Sequence, residues 1–129
     1  MSDPVRVFGK KILLVDDDNS ARESIKLLLN IDRHGVTEAR NGLEALQMFH
    51  QTPFDLVILD YFMPQMEGNE LAANIKEEAP LLPILMVTAY VEKLVDMDTK
   101  VDAVLPKPFA IAELRQAIAE LVSQNSFEF

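Results

Sequence analysis

Four carboxylates, one hydroxyl and one amine stand out because each ends or directly follows a short apolar run. Asp16, Asp17 and Asp18 follow Ile12-Leu-Leu-Val15, and Asp60 follows Leu56-Val-Ile-Leu59. Thr88 closes Pro83-Ile-Leu-Met-Val87, and Lys107 follows Val101 to Leu105 by one proline. Clustered carboxylates repel and raise one another's pKa unless a cation joins them. Oxygen donors, with no cysteine and no histidine close by, suit a hard ion, Mg²⁺ above all, that keeps several of its waters. A carboxylate can also act as nucleophile toward phosphorus and form an aspartyl phosphate. Such a transfer needs positioning and charge neutralisation more than acid–base machinery. Lys107 would offer a mobile point charge to phosphoryl oxygen, and Thr88 a hydroxyl donor.

These groups can meet only if the apolar runs are neighbouring parallel strands. Leu56–Leu59 is apolar without interruption and contains β-branched Val57 and Ile58, which suits a strand buried on both faces. The chain alternates such runs with helical signals. Lys11–Val15 leads to a helix capped by Asn19 or Ser20 and reaching about Leu29, with Ile25, Leu28 and Leu29 on one face. A weak strand over Gly35–Ala39 precedes a helix opened by Asn41-Gly42 and reaching about Gln51, with Leu43, Leu46 and Phe49 at helical spacing. After Asp60, the Met63-Pro64 breaker leads to a third helix over Gly68–Glu78, with Leu71, Ala72 and Ile75 inward. Pro80 and Pro83 punctuate its end. Val91 to about Lys100 is a poor, short helix, and Ala110 to about Val122 a strong one carrying Ile111, Leu114, Ala117, Ile118 and Leu121. Strands joined by short helical links imply an α/β fold, a parallel sheet covered on both faces. Its strand ends then share one rim, where open α/β sheets gather their chemistry.

Composition narrows the function classes. The 129 residues, 49% hydrophobic, fit one globular domain. Cysteine is absent, which excludes disulfides and thiolate metal sites. A net charge of −9, from 21 acidic and 12 basic residues, opposes direct binding to nucleic acid or anionic membranes. The opening MSDPVRVFGK lacks the apolar core of a signal peptide, and no apolar run approaches a bilayer span. A cytoplasmic location is expected. Residues 1–10 read as an N-terminal extension, 11–122 as the domain, and 123–129 as a frayed tail.

Taken singly, each site residue has an ordinary reading: a turn acid, a helix-entry acid for Asp18, a loop threonine, a solvated lysine. Met63, Met66, Met86 and Met97 read as filler of core or loops, and His34 and His50 as structural. The ordinary readings leave unexplained why the reactive groups occupy successive strand ends.

Together, Ile-Leu-Leu-Val-Asp16-Asp17-Asp18, Asp60-x-x-Met-Pro-x-x-x-Gly68, Val-Thr88-Ala89 and Pro-Lys107-Pro108-Phe109 resemble the receiver domain of two-component response regulators. The likeness spans about Lys11 to Val122. It implies a flavodoxin-like fold with a five-stranded sheet in the order 2-1-3-4-5. It implies Asp60 as phosphoacceptor, fed by a histidine kinase or histidine phosphotransfer protein, with a downstream effector protein or output domain as the reader. Mg²⁺ would be held by Asp16, Asp17, Asp60 and the backbone carbonyl of Phe62, with Thr88 and Lys107 binding the phosphoryl group. Asp18 falls where the family varies and stays outside the ion's ligands. The Lys107–Pro108 bond is expected to be cis. In relatives the residues two beyond the phosphoacceptor and two beyond the threonine, here Phe62 and Tyr90, influence access of water to the phosphoryl group. Such a domain catalyses only its own phosphorylation and dephosphorylation.

Two features depart from that pattern. Val104 stands where relatives carry an aromatic switch residue, and the stretch between Thr88 and Lys107 is short, which would shrink the fourth helix. A rival reading is a phosphatase of the haloacid dehalogenase type, loosely mimicked by Ile-Leu-Leu-Val-Asp16-Asp-Asp18-Asn-Ser20. Its later acidic pair is missing beyond Lys107. A phosphorylation-independent binding module of the same fold is a second rival, opposed by the complete set of reactive groups. The chain ends soon after its last helix, as expected of a free-standing regulator or of a fragment cut from a larger one. The sequence does not specify oligomeric state.

Overall fold

Alternation along the two innermost strands builds two cores at once. In the computed structural model, which describes residues 6–63, 65–94 and 99–125, β1 (Lys11–Val15) lies beside β3 (Leu56–Leu59), and Ile12–Val15 and all of β3 are buried. Successive side chains of a strand point to opposite faces. Leu13, Val15, Val57 and Leu59 therefore pack with α2 (Gly42–Gln51) and α3 (Gly68–Glu78), through Ala45, Leu71, Ala72 and Ile75. Ile12, Leu14, Leu56 and Ile58 pack on the other face with α1 (Asn19–Ile31) and α4 (Ile111–Asn125), through Ile25, Leu29, Leu114 and Ile118. β2 (Gly35–Ala39), β4 (Ile84–Thr88) and β5 (Ala103–Pro106) complete an all-parallel sheet in the order β2-β1-β3-β4-β5. This is the α/β, flavodoxin-like order expected.

Several local expectations are corrected. The cap of α1 is Asp18, whose Oδ1 accepts the Ser20 amide at 2.9 Å, and not Asn19 or Ser20. Asn41 caps α2 as expected, its Oδ1 accepting the Glu44 amide at 2.8 Å. Of the three apolar residues at helical spacing in α2, Leu43 is 53% exposed while Leu46 and Phe49 are partly buried against the core beside buried Gly42 and Ala45, because a residue one position on from Gly42 turns away. β4 starts after Pro83 and includes Thr88. β5 starts at Ala103, not Val101, because the Asp102 carboxylate takes the Ile84 amide (2.8 Å) and the Lys76 ammonium (2.8 Å) at the sheet's lower edge. Val91–Leu94 forms a single 3-10 turn in place of the start of a fourth helix, and the rest of that stretch to Met97 and Asp98 lies outside the described residues. α4 reaches Asn125, beyond the expected Val122; residues 126–129 of the tail, like 1–5 and Pro64, lie outside the description.

The end of α1 is tied down by charge. The buried Asp32 carboxylate pairs with Arg6 and with Arg115 of α4 (2.9 Å). Burial works to raise its pKa, but Arg115 and Arg6 together hold it below the ordinary carboxylate range. Next to it, buried His34 accepts the Lys10 amide on Nδ1 at 3.0 Å, and burial lowers its pKa. Both signs run the same way, because a depressed folded-state pKa means the unfolded chain binds the proton more readily. Stability is therefore complete near neutrality, weakens first as pH falls below His34's ordinary 6.5, and weakens again below the 3.8 of Asp32. Asp32→Ala strands two arginines and is expected to cost about 1–3 kcal/mol. Urea unfolding at neutral pH measures that loss, and the acid-side decline should be shallower in the variant.

Candidate functional site

The parallel register brings the strand ends to one rim. The Asp16 amide continues the β1–β2 ladder to the Ala39 carbonyl (3.1 Å), and the Asp60 amide continues β3 to the Val15 carbonyl (3.2 Å). The Lys107 amide closes on the Thr88 carbonyl (2.9 Å). Each reactive residue is thus the first to leave, or the last to stay in, a hydrogen-bonded strand, which fixes its backbone while freeing its side chain.

Asp16, Asp17 and Asp60 place carboxylate oxygens within 4.8 Å of one another. Asp16 is buried, Asp60 partly buried and Asp17 exposed, so the cluster opens to solvent on one side. The Lys107 ammonium stands 3.5 Å from Asp16 Oδ2 and 3.8 Å from Asp60 Oδ2. Asp60 Oδ1 accepts its neighbour's amide, from Tyr61, at 2.7 Å. Thr88 is fully buried, and its Oγ1 accepts the Tyr90 amide at 3.2 Å, leaving the hydroxyl proton to point toward Asp60. The Lys107–Pro108 bond is cis, as expected.

Burial drives the Asp60 pKa above the ordinary carboxylate value, and the Asp16 charge adds to that push. Lys107, the Tyr61 amide and the Thr88 hydroxyl oppose it without cancelling it. A single ammonium does not neutralise three carboxylates. The donor set, three carboxylates and no sulfur or imidazole, fits a hard divalent ion.

Asp18 stands apart as the helix cap, in line with its ordinary reading. Phe62 is 39% exposed and lies edge-on to Tyr90 (ring centroids 4.9 Å) and to Tyr61 (4.7 Å). The aromatic row begins at the residue after Asp60 and ends two residues beyond Thr88. His34 and His50 lie away from the cluster: His34 holds Lys10, and exposed His50 meets Glu78 at 2.9 Å. Met63, Met66 and Met86 are buried, as core filler should be.

Sequence reasoning missed two contributors. Arg22 is buried in α1 and donates to the Asp16 carbonyl (2.7 Å). The available signal was a charge at the inward helical position shared with Ile25 and Leu29. Gly68 presses on the peptide of Asp60, and the motif containing it was noted without that physical reason.

Comparison with known proteins gives a uniform picture. The profile described as the response regulator receiver domain matches residues 12–119. The response regulator MprA of Mycobacterium sp. strain KMS is 36% identical over 119 residues, covering 90% of this chain and 52% of the relative. MprA of Mycobacterium leprae is 37% identical over 118 residues, with 89% and 52% covered. The chain thus spans about half the length of these relatives. Among solved structures, the response regulator TrrA of Thermotoga maritima in complex with Mg²⁺-BeF is similar with a TM-score of 0.83 and 35% identity, over 87% of this chain and 98% of that one. The chemotaxis response regulator CheY4 of Vibrio cholerae has a TM-score of 0.79 and 29% identity, with 88% and 98% covered.

Proposed function

The chain belongs to the response regulator receiver domain family, and from that membership we propose that Asp60 is its phosphoacceptor. The observation that carries the reading is the meeting of Asp16, Asp17, Asp60, Thr88 and Lys107 at one rim. In this reading a phosphohistidine of a histidine kinase or histidine phosphotransfer protein is the donor. An Asp60 carboxylate oxygen bonds to phosphorus while the phosphorus–nitrogen bond breaks and the imidazole leaves. Lys107 follows the charge from carboxylate to phosphoryl oxygen, and the Thr88 hydroxyl turns to donate to it. Asp16, Asp17, Asp60 and the Phe62 backbone carbonyl would hold Mg²⁺, which supplies charge neutralisation when bound.

The family is not a classical enzyme family, and the proposed chemistry is limited to the domain's own phosphorylation and dephosphorylation. The receiver unit is assigned to 11–122, preceded by the 1–10 extension and followed by the 123–129 tail. The proposed setting is cytoplasmic. Among the described residues no helix is long and apolar enough to cross a membrane. A haloacid dehalogenase reading would make Asp16 the nucleophile, yet Asp16 is buried and faces Lys107 while Asp60 is the more open carboxylate. The reader is proposed to be an effector protein or output domain. Val104, 37% exposed on edge strand β5, offers no ring to bury, so the readout is assigned to the stretch from Ala89 to Lys100, of which 95–98 lie outside the described residues, and to the face it shares with β5 and the last helix.

Labelling with acetyl phosphate tests the assignment, and its lifetime tests the aromatic row. Phe62 and Tyr90 stand edge-to-face and half-exposed beside the phosphoacceptor. They are expected to obstruct in-line attack by water. Replacing both with small polar residues should speed loss of the phosphoryl group several-fold. A decay rate equal to or slower than that of the unaltered protein would remove the shielding role.

A further inference from the structure

Arg22 sits where a side chain should cost free energy, since a buried charge is tolerated only when it is fully paired. Its guanidinium is consumed on three sides. Nη1 donates to the Asp16 carbonyl at 2.7 Å, Nε to Glu38 Oε1 of β2 at 3.0 Å, and Nη2 to Asn19 Oδ1 at the start of α1. Glu38 is held in turn by Lys26 at 3.0 Å, so the fork is anchored to the edge strand and to α1 together. The carbonyl it grips belongs to the peptide joining Asp16 to Asp17. Asp16 is otherwise fixed, its amide on Ala39 and its Oδ1 on the Asp18 amide (3.0 Å). Asp17 is exposed and joins the acidic cluster, and among the described residues its side chain takes no hydrogen bond of its own. The direction of its carboxylate therefore depends on the plane of that peptide.

We propose that Arg22 is the positioning residue of the acidic cluster: by clamping the Asp16–Asp17 peptide against Glu38 it holds the Asp17 carboxylate within reach of Asp16 and Asp60, and so sets affinity for a hard divalent cation. The inference rests on the cation-binding reading given above. Its physical basis is the planarity of the guanidinium, which serves three acceptors in fixed directions, whereas a lysine ammonium of equal charge cannot span them. Groups outside a metal's own ligands commonly alter affinity by about 10–100-fold.

Direct titration of the phosphoryl-free protein with Mg²⁺, followed by amide chemical shifts of Asp17 and Tyr61 and by calorimetry, separates the possibilities. The unaltered protein is expected to bind, Arg22→Lys to bind about 10-fold or more weakly, and Glu38→Gln, which leaves the arginine but loosens its anchor, to fall between them. Thermal melts of the same samples tell weakened positioning from unfolding. Arg22→Lys that folds and binds Mg²⁺ as tightly as the unaltered protein overturns the inference. If Arg22→Lys fails to fold, Glu38→Gln decides, and unchanged affinity there overturns it. An unaltered protein that does not bind Mg²⁺ overturns the cation reading itself, a result distinct from the other two.

Discussion

Incubated with Mg²⁺ and acetyl phosphate, the protein should gain a single phosphoryl group, and Asp60→Asn should reduce that gain to background. The expectation rests on which oxygen is both free and supported. Asp60 Oδ1 is occupied by the Tyr61 amide (2.7 Å), while Oδ2 faces Lys107 at 3.8 Å. In the proposed transfer Oδ2 is therefore the oxygen expected to attack, with the ammonium beside it to accompany developing charge. An asparagine keeps the volume and, through its amide oxygen, the Tyr61 contact, but replaces the carboxylate proposed as nucleophile with an amide. Lys107→Ala should leave labelling detectable but slower by about 10²-fold, the usual effect of losing one donor to a developing oxyanion. Chelating the metal should suppress labelling of the unaltered protein. Intact-mass measurement decides the site: undiminished labelling of Asp60→Asn would move the nucleophile elsewhere, and loss of labelling in Asp16→Asn alone would favour the dehalogenase-like chemistry.

The sheet was legible because its strands are buried on both faces, so apolarity itself marked them. Leu56–Leu59 and Ile12–Val15 have no solvent side to blur the pattern. The edge was less legible: β5 has exposed Val104 and Pro106, and its start is set by what the Asp102 side chain binds, which is a tertiary matter. The outward turn of Leu43 was not legible from its apolar type, the buried positions of α2 being Gly42 and Ala45, which carry little hydrophobic signal. The reactive set was legible because each member terminates an apolar run. Arg22 was not, because one charge inside an amphipathic helix looks like a surface residue until the fold puts a carbonyl and a carboxylate opposite it. Nor did the spacing between Asp60 and Gly68 disclose why a glycine is needed there.

That glycine should be the most sensitive position outside the reactive groups. A Cβ added at Gly68 would lie 2.3 Å from the backbone carbonyl oxygen of Asp60 and 2.9 Å from the Tyr61 Cα. Its amide meanwhile donates to the Tyr61 carbonyl at 2.7 Å, so the first turn of α3 is drawn against the backbone that directly follows Asp60. The restriction is one of space, and both obstacles are backbone, which cannot swing aside as a side chain can. Gly68→Ala must push α3 outward, breaking that hydrogen bond and loosening Leu71, Ala72 and Ile75, or push Asp60 out of line with Lys107. The expected loss is about 1–3 kcal/mol of stability, as for other overpacked sites. A misplacement of roughly 1 Å at the reacting oxygen can also slow labelling by about 10²-fold. Gly42→Ala is the matched control: its added Cβ would meet Met66, 2.7 Å from Sδ and 2.8 Å from the side-chain Cβ. A methionine can repack, and the contact does not touch the Asp60 peptide, so that variant should lose stability while retaining most of its labelling rate. Urea midpoints and labelling rates of the two variants separate crowding of the core from displacement of Asp60. If Gly68→Ala unfolds and labels as the unaltered protein does, the close approach of α3 is not what positions Asp60.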